Sequence, residues 1–311
     1  MTCLRIGTRA SALARRQTES VVGSLRALRP SLAIEVIELT TPGDDQSEAP
    51  LERMEGIGWF TSTLERALME DRIDLAVHSY KDLPVASVPE LVVFATPERG
   101  PVEDVLCARH GARLDGLPRG ARIGTSSLRR QAQLRGLRPD LRCLSLRGNV
   151  PTRLGRVTSG DLDAVVLARA GLERLDLMGR ATEVFPVSRF LPAPGQGALA
   201  VQGRATDRAT LELAAALHHV PTHRAVLAER EVLRALRGGC SVPVGAFARE
   251  TGSTISLDAG VFSLDGTESR RVRLEGEEPL ALGQEAGLRL IRAGAARIID
   301  DAMNQTAGTG A

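Results

Sequence analysis

One short device occurs twice in this chain, and it limits the fold more than any other feature. Leu4-Arg5-Ile6-Gly7-Thr8-Arg9-Ala10-Ser11 and Ala121-Arg122-Ile123-Gly124-Thr125-Ser126-Ser127-Leu128-Arg129-Arg130-Gln131 share Arg-Ile-Gly-Thr followed by small hydroxyl residues. Each reads as an apolar strand, a glycine turn and the start of a helix. In the first copy the helix spans Ala12–Leu28 and ends ahead of Pro30. Two copies predict two similar α/β lobes. In such lobes the loop after a strand and the free amides of the next helix make an anion site, here supplemented by Arg9, Ser11, Thr125, Ser127, Arg129 and Arg130. Helix capping by serine or threonine explains either segment taken alone. The repetition is what points beyond capping.

The other elements fit between and after these copies. Ala33–Leu39 reads as a strand, Thr41–Pro50 as a polar loop, Trp59–Arg72 as a helix, and Ile73–Val77 and Leu91–Thr96 as strands, with Glu98–Val102 crossing to the second lobe. There, Leu141–Leu146 and Asp163–Ala168 are strands. Arg147 and Arg153 bracket a turn from which both guanidiniums could bind carboxylates in a forked geometry, and Arg174 follows Asp163–Ala168. Pro192–Gly197 reads as a rigid turn and hinge returning the chain to the first lobe. Thr222–Leu236 is an amphipathic helix that stops at Gly238-Gly239, just before Cys240. Strands at Thr254–Leu257, Gly260–Leu264 and Ser269–Leu274 and a final helix over Leu280–Met303 form a separate small α/β domain. The expected division is 1–98 with 198–217, then 103–192, then 220–311.

Charge sharpens the functional question. The only lysine, Lys81, stands beside Asp82 in Asp74-Leu75-Ala76-Val77-His78-Ser79-Tyr80-Lys81-Asp82-Leu83-Pro84, and every other strong base is arginine. A compact ammonium and a carboxylate where a buried strand meets a loop suit acid/base work or anion binding, although a leftover surface lysine is an equally simple reading. With net charge +2 and 3% aromatic residues, neither nucleic acid nor a membrane surface is an expected partner. The arginines must then be offset within the chain or face small carboxylates or phosphates. Cys3, Cys107, Cys143 and Cys240 have no metal-ligand spacing, and no secretory leader or membrane-length run is apparent, so no metal and a reducing, cytoplasmic setting are expected.

Taken together, the motifs resemble the porphobilinogen deaminase (hydroxymethylbilane synthase) family. The matching segments are Ile6–Ser11, His78–Pro84, Gly124–Gln131, Leu146–Leu154, Ala170–Leu175, Pro194–Gly197 and Gly238–Pro243, seven in the family's order along nearly the whole chain. The resemblance implies two lobes like those of periplasmic binding proteins and a C-terminal α/β domain with an antiparallel sheet. It also implies a dipyrromethane cofactor joined by a thioether to Cys240, which primes a chain of pyrroles. Porphobilinogen loses ammonia to give an azafulvene cation, the terminal pyrrole attacks it, and water finally releases a linear tetrapyrrole. Asp82 is implied as the catalytic residue. Cys240, Lys81, Thr125, Ser127, Arg129, Arg130 and Arg147 are implied to hold the cofactor, and Arg9, Ser11, Arg153, Arg174 and Gln196 the substrate. A monomer is expected, because no exposed apolar heptad demands a partner.

Three departures stand out. Gly56-Ile57-Gly58 replaces the family's glycine-lysine-glycine, leaving Arg53 as the nearby cation, Pro42 stands where the family commonly has arginine, and Pro101 is displaced by one position. They keep open a paralogue with another pyrrole substrate or chain length. A non-catalytic clamshell binding small carboxylates is a further alternative, opposed by the presence of both Asp82 and the Gly238-Gly239-Cys240 loop. No signature pairs Cys240 with His78 or His223 for a hydrolase.

Overall fold

The computed structural model describes residues 3–40, 62–86, 88–237 and 242–308. Pro42, Arg53, Gly56-Ile57-Gly58 and Gly238-Gly239-Cys240-Ser241 lie outside them. The chain divides into two compact units, 1–100 with 197–223 and 101–196 with 224–311.

Unit 1 is built on β1 (Leu4–Arg9), β2 (Ile34–Leu39), β3 (Leu75–Ser79), β4 (Leu91–Ala95) and the later β10 (Leu199–Arg204), in the order β2-β1-β3-β10-β4. β1 pairs in parallel with β2 and β3, and β10 runs antiparallel between β3 and β4. Helix α1 (Ala12–Leu28) covers one face, burying Val21, Val22 and Leu25 against Leu4, Ile6, Leu75 and Val77. Helix α2 (Ser62–Met69) covers the other through Leu64, Ala67 and Leu68. A Cβ at Gly7 would lie 2.4 Å from Ile73 Cδ1 and 3.0 Å from a Leu64 methyl, so those side chains would have to shift.

Unit 2 repeats the plan. Strands β5 (Asp104–Ala108), β6 (Arg122–Gly124), β7 (Arg142–Leu144), β8 (Ala164–Ala168) and β9 (Glu183–Val184) lie in the order β7-β6-β8-β5-β9, with β6 parallel to β7 and β8 and β5 antiparallel to β8 and β9. Gly124 is the counterpart of Gly7, its Cβ position 2.5 Å from Leu162 and 2.7 Å from Leu146. Helices α3 (Leu128–Leu137), α4 (Val150–Thr158) and α5 (Arg169–Arg174) follow β6, β7 and β8. The expectation of two similar α/β lobes is met.

The likeness extends to an ion pair that the sequence alone does not announce. Arg5 donates through its backbone N–H (2.8 Å) and Nε (3.1 Å) to Asp74 Oδ2, and the Asp74 N–H returns a bond to Arg5 O. Arg122 and Asp163 repeat all three bonds, with Arg122 N at 2.7 Å and Nε at 3.3 Å from Asp163 Oδ2. Each aspartate sits one residue ahead of the strand that pairs with the arginine's strand. The pair therefore locks register, Ile6 beside Leu75 and Ile123 beside Ala164.

The rest of unit 2 begins, after helix α6 (Arg208–Ala215) of unit 1, with helix α7 (Val220–Ala235), most of which belongs to it. An antiparallel sheet β11-β12-β13 follows, made of Val244–Thr251, Thr254–Phe262 and Ser269–Gly276. Two expectations are corrected here and one strand is added. Thr254–Leu257 and Gly260–Leu264 are one continuous strand, because Gly260 keeps extended pairing with Arg271 and Gly245. β11 was not foreseen, its apolar alternation being masked by the adjacent Gly and Pro signals. The final helix is two, α8 (Pro279–Arg292) and α9 (Ala295–Gly308), broken at Gly294 with φ +91°.

Burial raises the Asp74 carboxyl, but hydrogen bonds from Arg5 and Arg204 outweigh this and hold it below its ordinary value. Its stabilisation is thus present above the unfolded-state value near 4 and fades as pH falls. Asp74→Ala should destabilise unit 1 by about 2 kcal/mol at pH 7, and the gap to wild type in urea unfolding should shrink below about pH 4.

Candidate active site

Unit 1 presents its candidates at the carboxyl ends of adjacent strands. β3 ends at Ser79, whose Oγ accepts from the buried Gln17 amide at 2.7 Å. The chain then makes a 3-10 turn over Tyr80–Asp82, anchored by the Tyr80 N–H on Ala198 O and by the buried Tyr80 ring. Anchoring on one side leaves Lys81 half-buried and Asp82 exposed on the other. Arg9 closes β1, the parallel neighbour of β3, and Ser11 caps α1 by accepting the Ala14 N–H at 3.2 Å. Arg9, Ser11, Lys81 and Asp82 are thus gathered by the strand order of one sheet.

His78 is buried in β3. Burial, opposed by Gln202 and reinforced by the Arg9 charge, pulls its pKa down to about 4, so it is neutral near pH 7. His223 is likewise lowered to about 4, by burial and His218. Burial pushes the Cys107 thiol up to about 11 and raises Cys143 too. No activated Cys-His pair exists among the described residues, and no group of metal-ligating side chains does either.

In unit 2 three parallel neighbours, β7, β6 and β8, deliver the other candidates. Thr125 and Ser127 form the β6–α3 turn, Thr125 Oγ1 accepting the Ser127 N–H at 3.3 Å, and Ser127 is the N-cap of α3 with its hydroxyl left out of the cap. After β7, Gly148 turns the chain at φ +97°, where a Cβ would meet Thr152 at 2.9 Å. Asn149 then caps α4 on the Thr152 N–H, and Arg153 Nε donates to Gly148 O at 2.7 Å. Arg147 is half-buried on this turn, Arg153 is half-buried within α4, and Arg174 ends α5. Burial lowers the Arg174 pKa, with Glu173 opposing, as for a guanidinium withdrawn from water.

Arg129, Arg130 and Gln196 lie deeper than a solvent-facing anion site would suggest. All three bind Asp104, which is fully buried at the start of β5. Arg129 Nη1 reaches Asp104 Oδ2 at 2.6 Å, Arg130 Nη2 and Nε reach Oδ1 at 2.7 and 3.1 Å, and Gln196 Nε2 reaches Oδ1 at 3.0 Å. Burial raises the Asp104 carboxyl, but the two guanidiniums overcome this and hold it far below the usual carboxylate range. Glu229, also fully buried, accepts the Gly195 N–H at 2.6 Å and the Ala248 N–H at 2.8 Å. Neither carboxylate was singled out from sequence. The available signals were an acid opening an apolar run, Asp104-Val105-Leu106-Cys107, and an acid on the apolar face of α7 beside Ala225, Val226, Ala228 and Val232.

The family described as porphobilinogen deaminase, dipyromethane cofactor binding domain, matches residues 4–212, and its C-terminal domain matches 223–292. Porphobilinogen deaminase of Desulforudis audaxviator is 47% identical over 94% of this chain and 96% of its own length. That of Syntrophobacter fumaroxidans is 43% identical over 96% and 97%. The chain belongs to the porphobilinogen deaminase family. A solved structure, the periplasmic VFT2 domain of Bordetella pertussis BvgS, is 16% identical with a TM-score of 0.42, covering 70% of this chain and 86% of that one.

The donors present fit the cofactor that this family description names. Arg129 Nε is buried without a hydrogen-bond partner inside the protein, the Ser127 hydroxyl stays out of its helix cap, and Arg147 is half-buried on the turn after β7. Such donors suit the acetate and propionate groups of a dipyrromethane. Cys240 itself lies outside the described residues. Because Asp104 carries two buried guanidiniums, Arg130→Ala should cost unit 2 about 3–5 kcal/mol in urea unfolding by leaving that charge undercompensated. A surface arginine such as Arg208 should cost less than about 0.5 kcal/mol when replaced by alanine.

Proposed function

We propose that this chain is a transferase that deaminates porphobilinogen and joins it head to tail into the linear tetrapyrrole hydroxymethylbilane. Its primer is a dipyrromethane held by a thioether to Cys240, and the family match over nearly the whole chain carries the reading. The cofactor, when bound, supplies the pyrrole on which the chain is extended. The protein supplies charge, position and a proton acceptor.

Asp82 is the catalytic residue. Its carboxylate stands exposed on a turn fixed by Tyr80 and Ser79, so it can accept pyrrole N–H groups, stabilise cationic charge developing beside them, and take up and return a proton at Oδ. Lys81 on the same turn holds a carboxylate of the cofactor. Thr125, Ser127, Arg129, Arg130 and Arg147 hold the remaining cofactor carboxylates. Arg9, Ser11, Arg153, Arg174 and Gln196 serve the incoming substrate, Gln196 through the Asp104 cluster it joins. Porphobilinogen is the small-molecule partner, and the chain works as a cytoplasmic monomer, a reading supported by its near-neutral charge and widely spaced cysteines. The division into 1–98 with 198–217, 103–192 and 220–311 is supported by each part having one sheet of its own.

One observation favours a second reading. Ile57 in place of the family's lysine removes a cation, as a paralogue with altered pyrrole substrate or product length would. Asp82→Asn and Asp82→Ala should leave circular dichroism unchanged and lower kcat for porphobilinogen consumption by roughly 10²- to 10⁴-fold. Near-normal turnover would reject Asp82 as the acid/base group. A wild-type product other than a four-pyrrole chain in mass spectrometry would select the paralogue.

A further inference from the structure

Asp104 does more than neutralise charge. A buried ion pair is a poor source of stability, and apolar residues of similar volume often serve as well or better. What such a cluster provides is a fixed direction for each donor. Arg129 Nη1 lies 2.6 Å from both Asp104 Oδ2 and Leu191 O, and its guanidinium sits 5.9 Å from the centre of the Phe190 ring. The Leu191 carbonyl is itself held, because Gln133 accepts the Leu191 N–H at 2.7 Å and donates back to its oxygen at 3.0 Å. With Nη1 spent, the plane of Arg129 is set, and Nε is the buried nitrogen left without an acceptor.

Arg130 and Gln196 hold the other carboxylate oxygen. Arg130 binds it through Nε and Nη2 while Nη1 donates to Val166 O at 2.9 Å, tying the cluster to β8. Gln196 binds it through Nε2 and also donates to Val102 O at 2.7 Å. The neighbouring Gly195 N–H is clamped by Glu229, whose second oxygen takes the Ala248 N–H of β11. One carboxylate thus has α3, the segment leading into β5 and the 193–196 turn attached to it.

We propose that Asp104 is a positioning residue of the deaminase reaction, orienting Arg129 and the turn bearing Gln196 toward the carboxylates of the bound pyrroles. This rests on the assignment of Arg129 to the cofactor. Asp104 touches neither substrate nor cofactor and acts through Arg129. Displacing a donor by an ångström can cost roughly 100-fold in rate, so the expected effect is large even where the fold survives.

The test uses the full chain made in a host that produces porphobilinogen, carrying Asp104→Asn, Asp104→Glu or Arg129→Gln. Intact mass gives the fraction bearing the two-pyrrole increment, and circular dichroism reports the fold. The proposal expects folded Asp104→Glu to load less than one tenth of the wild-type fraction, with Asp104→Asn, where folded, lower still. A purely structural role would move melting but not the loaded fraction of folded protein. Wild-type loading in folded Asp104→Glu, with loading lost in Arg129→Gln, would overturn the proposal alone. Normal loading in Arg129→Gln would instead overturn the cofactor assignment on which it rests. Failure of both Asp104 variants to fold would also overturn it, leaving Asp104 a stability residue only.

Discussion

The fold of both units depends on one interaction, an arginine at the start of a central strand bonded three ways to an aspartate just ahead of the neighbouring strand. Arg5 with Asp74 and Arg122 with Asp163 fix the register of the two strands at the heart of each sheet. A slip of one residue would turn every side chain to the wrong face. It would carry Gly7 and Gly124 away from the leucine and isoleucine side chains that leave no room for a Cβ. With register fixed, the loops after these strands emerge at the same end of their sheet, which is where α/β proteins place ligand sites.

From that frame the arginines divide by depth. Arg9 at the end of β1, Arg147 on the turn after β7 and Arg153 in the first turns of α4 are half-buried, suited to small carboxylates. Arg129 and Arg130 are 4% and 6% exposed and are anchored by Asp104. Part of the positive charge is paired internally with Asp74, Asp163 and Asp104. Asp82 differs from these carboxylates in having been kept at the surface, on a turn held rigid from beneath. The proposed roles follow this contrast, with Asp82 as the carboxylate that reacts and Asp104 as one that positions.

Much of this was legible in the sequence. The repeat of Arg-Ile-Gly-Thr announced two lobes, and α1 spans Ala12–Leu28 as its caps predict, since Ser11 and Pro30 mark both ends locally. The motif singled out Asp82, which the structure places exposed on the Tyr80–Asp82 turn. The long-range partners were not, because nothing near Arg129 in sequence says that its carboxylate lies 25 residues upstream. Glu229 looked like any acid on an amphipathic helix until its two backbone donors came into view. Gly260 and Gly294 misled in opposite directions. The first is absorbed into a strand because both neighbours continue the ladder, whereas the second breaks a helix through a positive φ. Glycine is permissive, and tertiary pairing decides which way it is used.

Every proposed role depends on the cysteine following Gly238-Gly239 carrying the primer on which the other residues act. Intact-mass measurement of the purified chain, followed by peptide mapping, tests this most directly. The account predicts a mass above that of the sequence by one two-pyrrole increment, carried on a peptide containing Cys240. An unmodified chain from a host that makes porphobilinogen, or an increment on a peptide containing Cys3, Cys107 or Cys143, would contradict it.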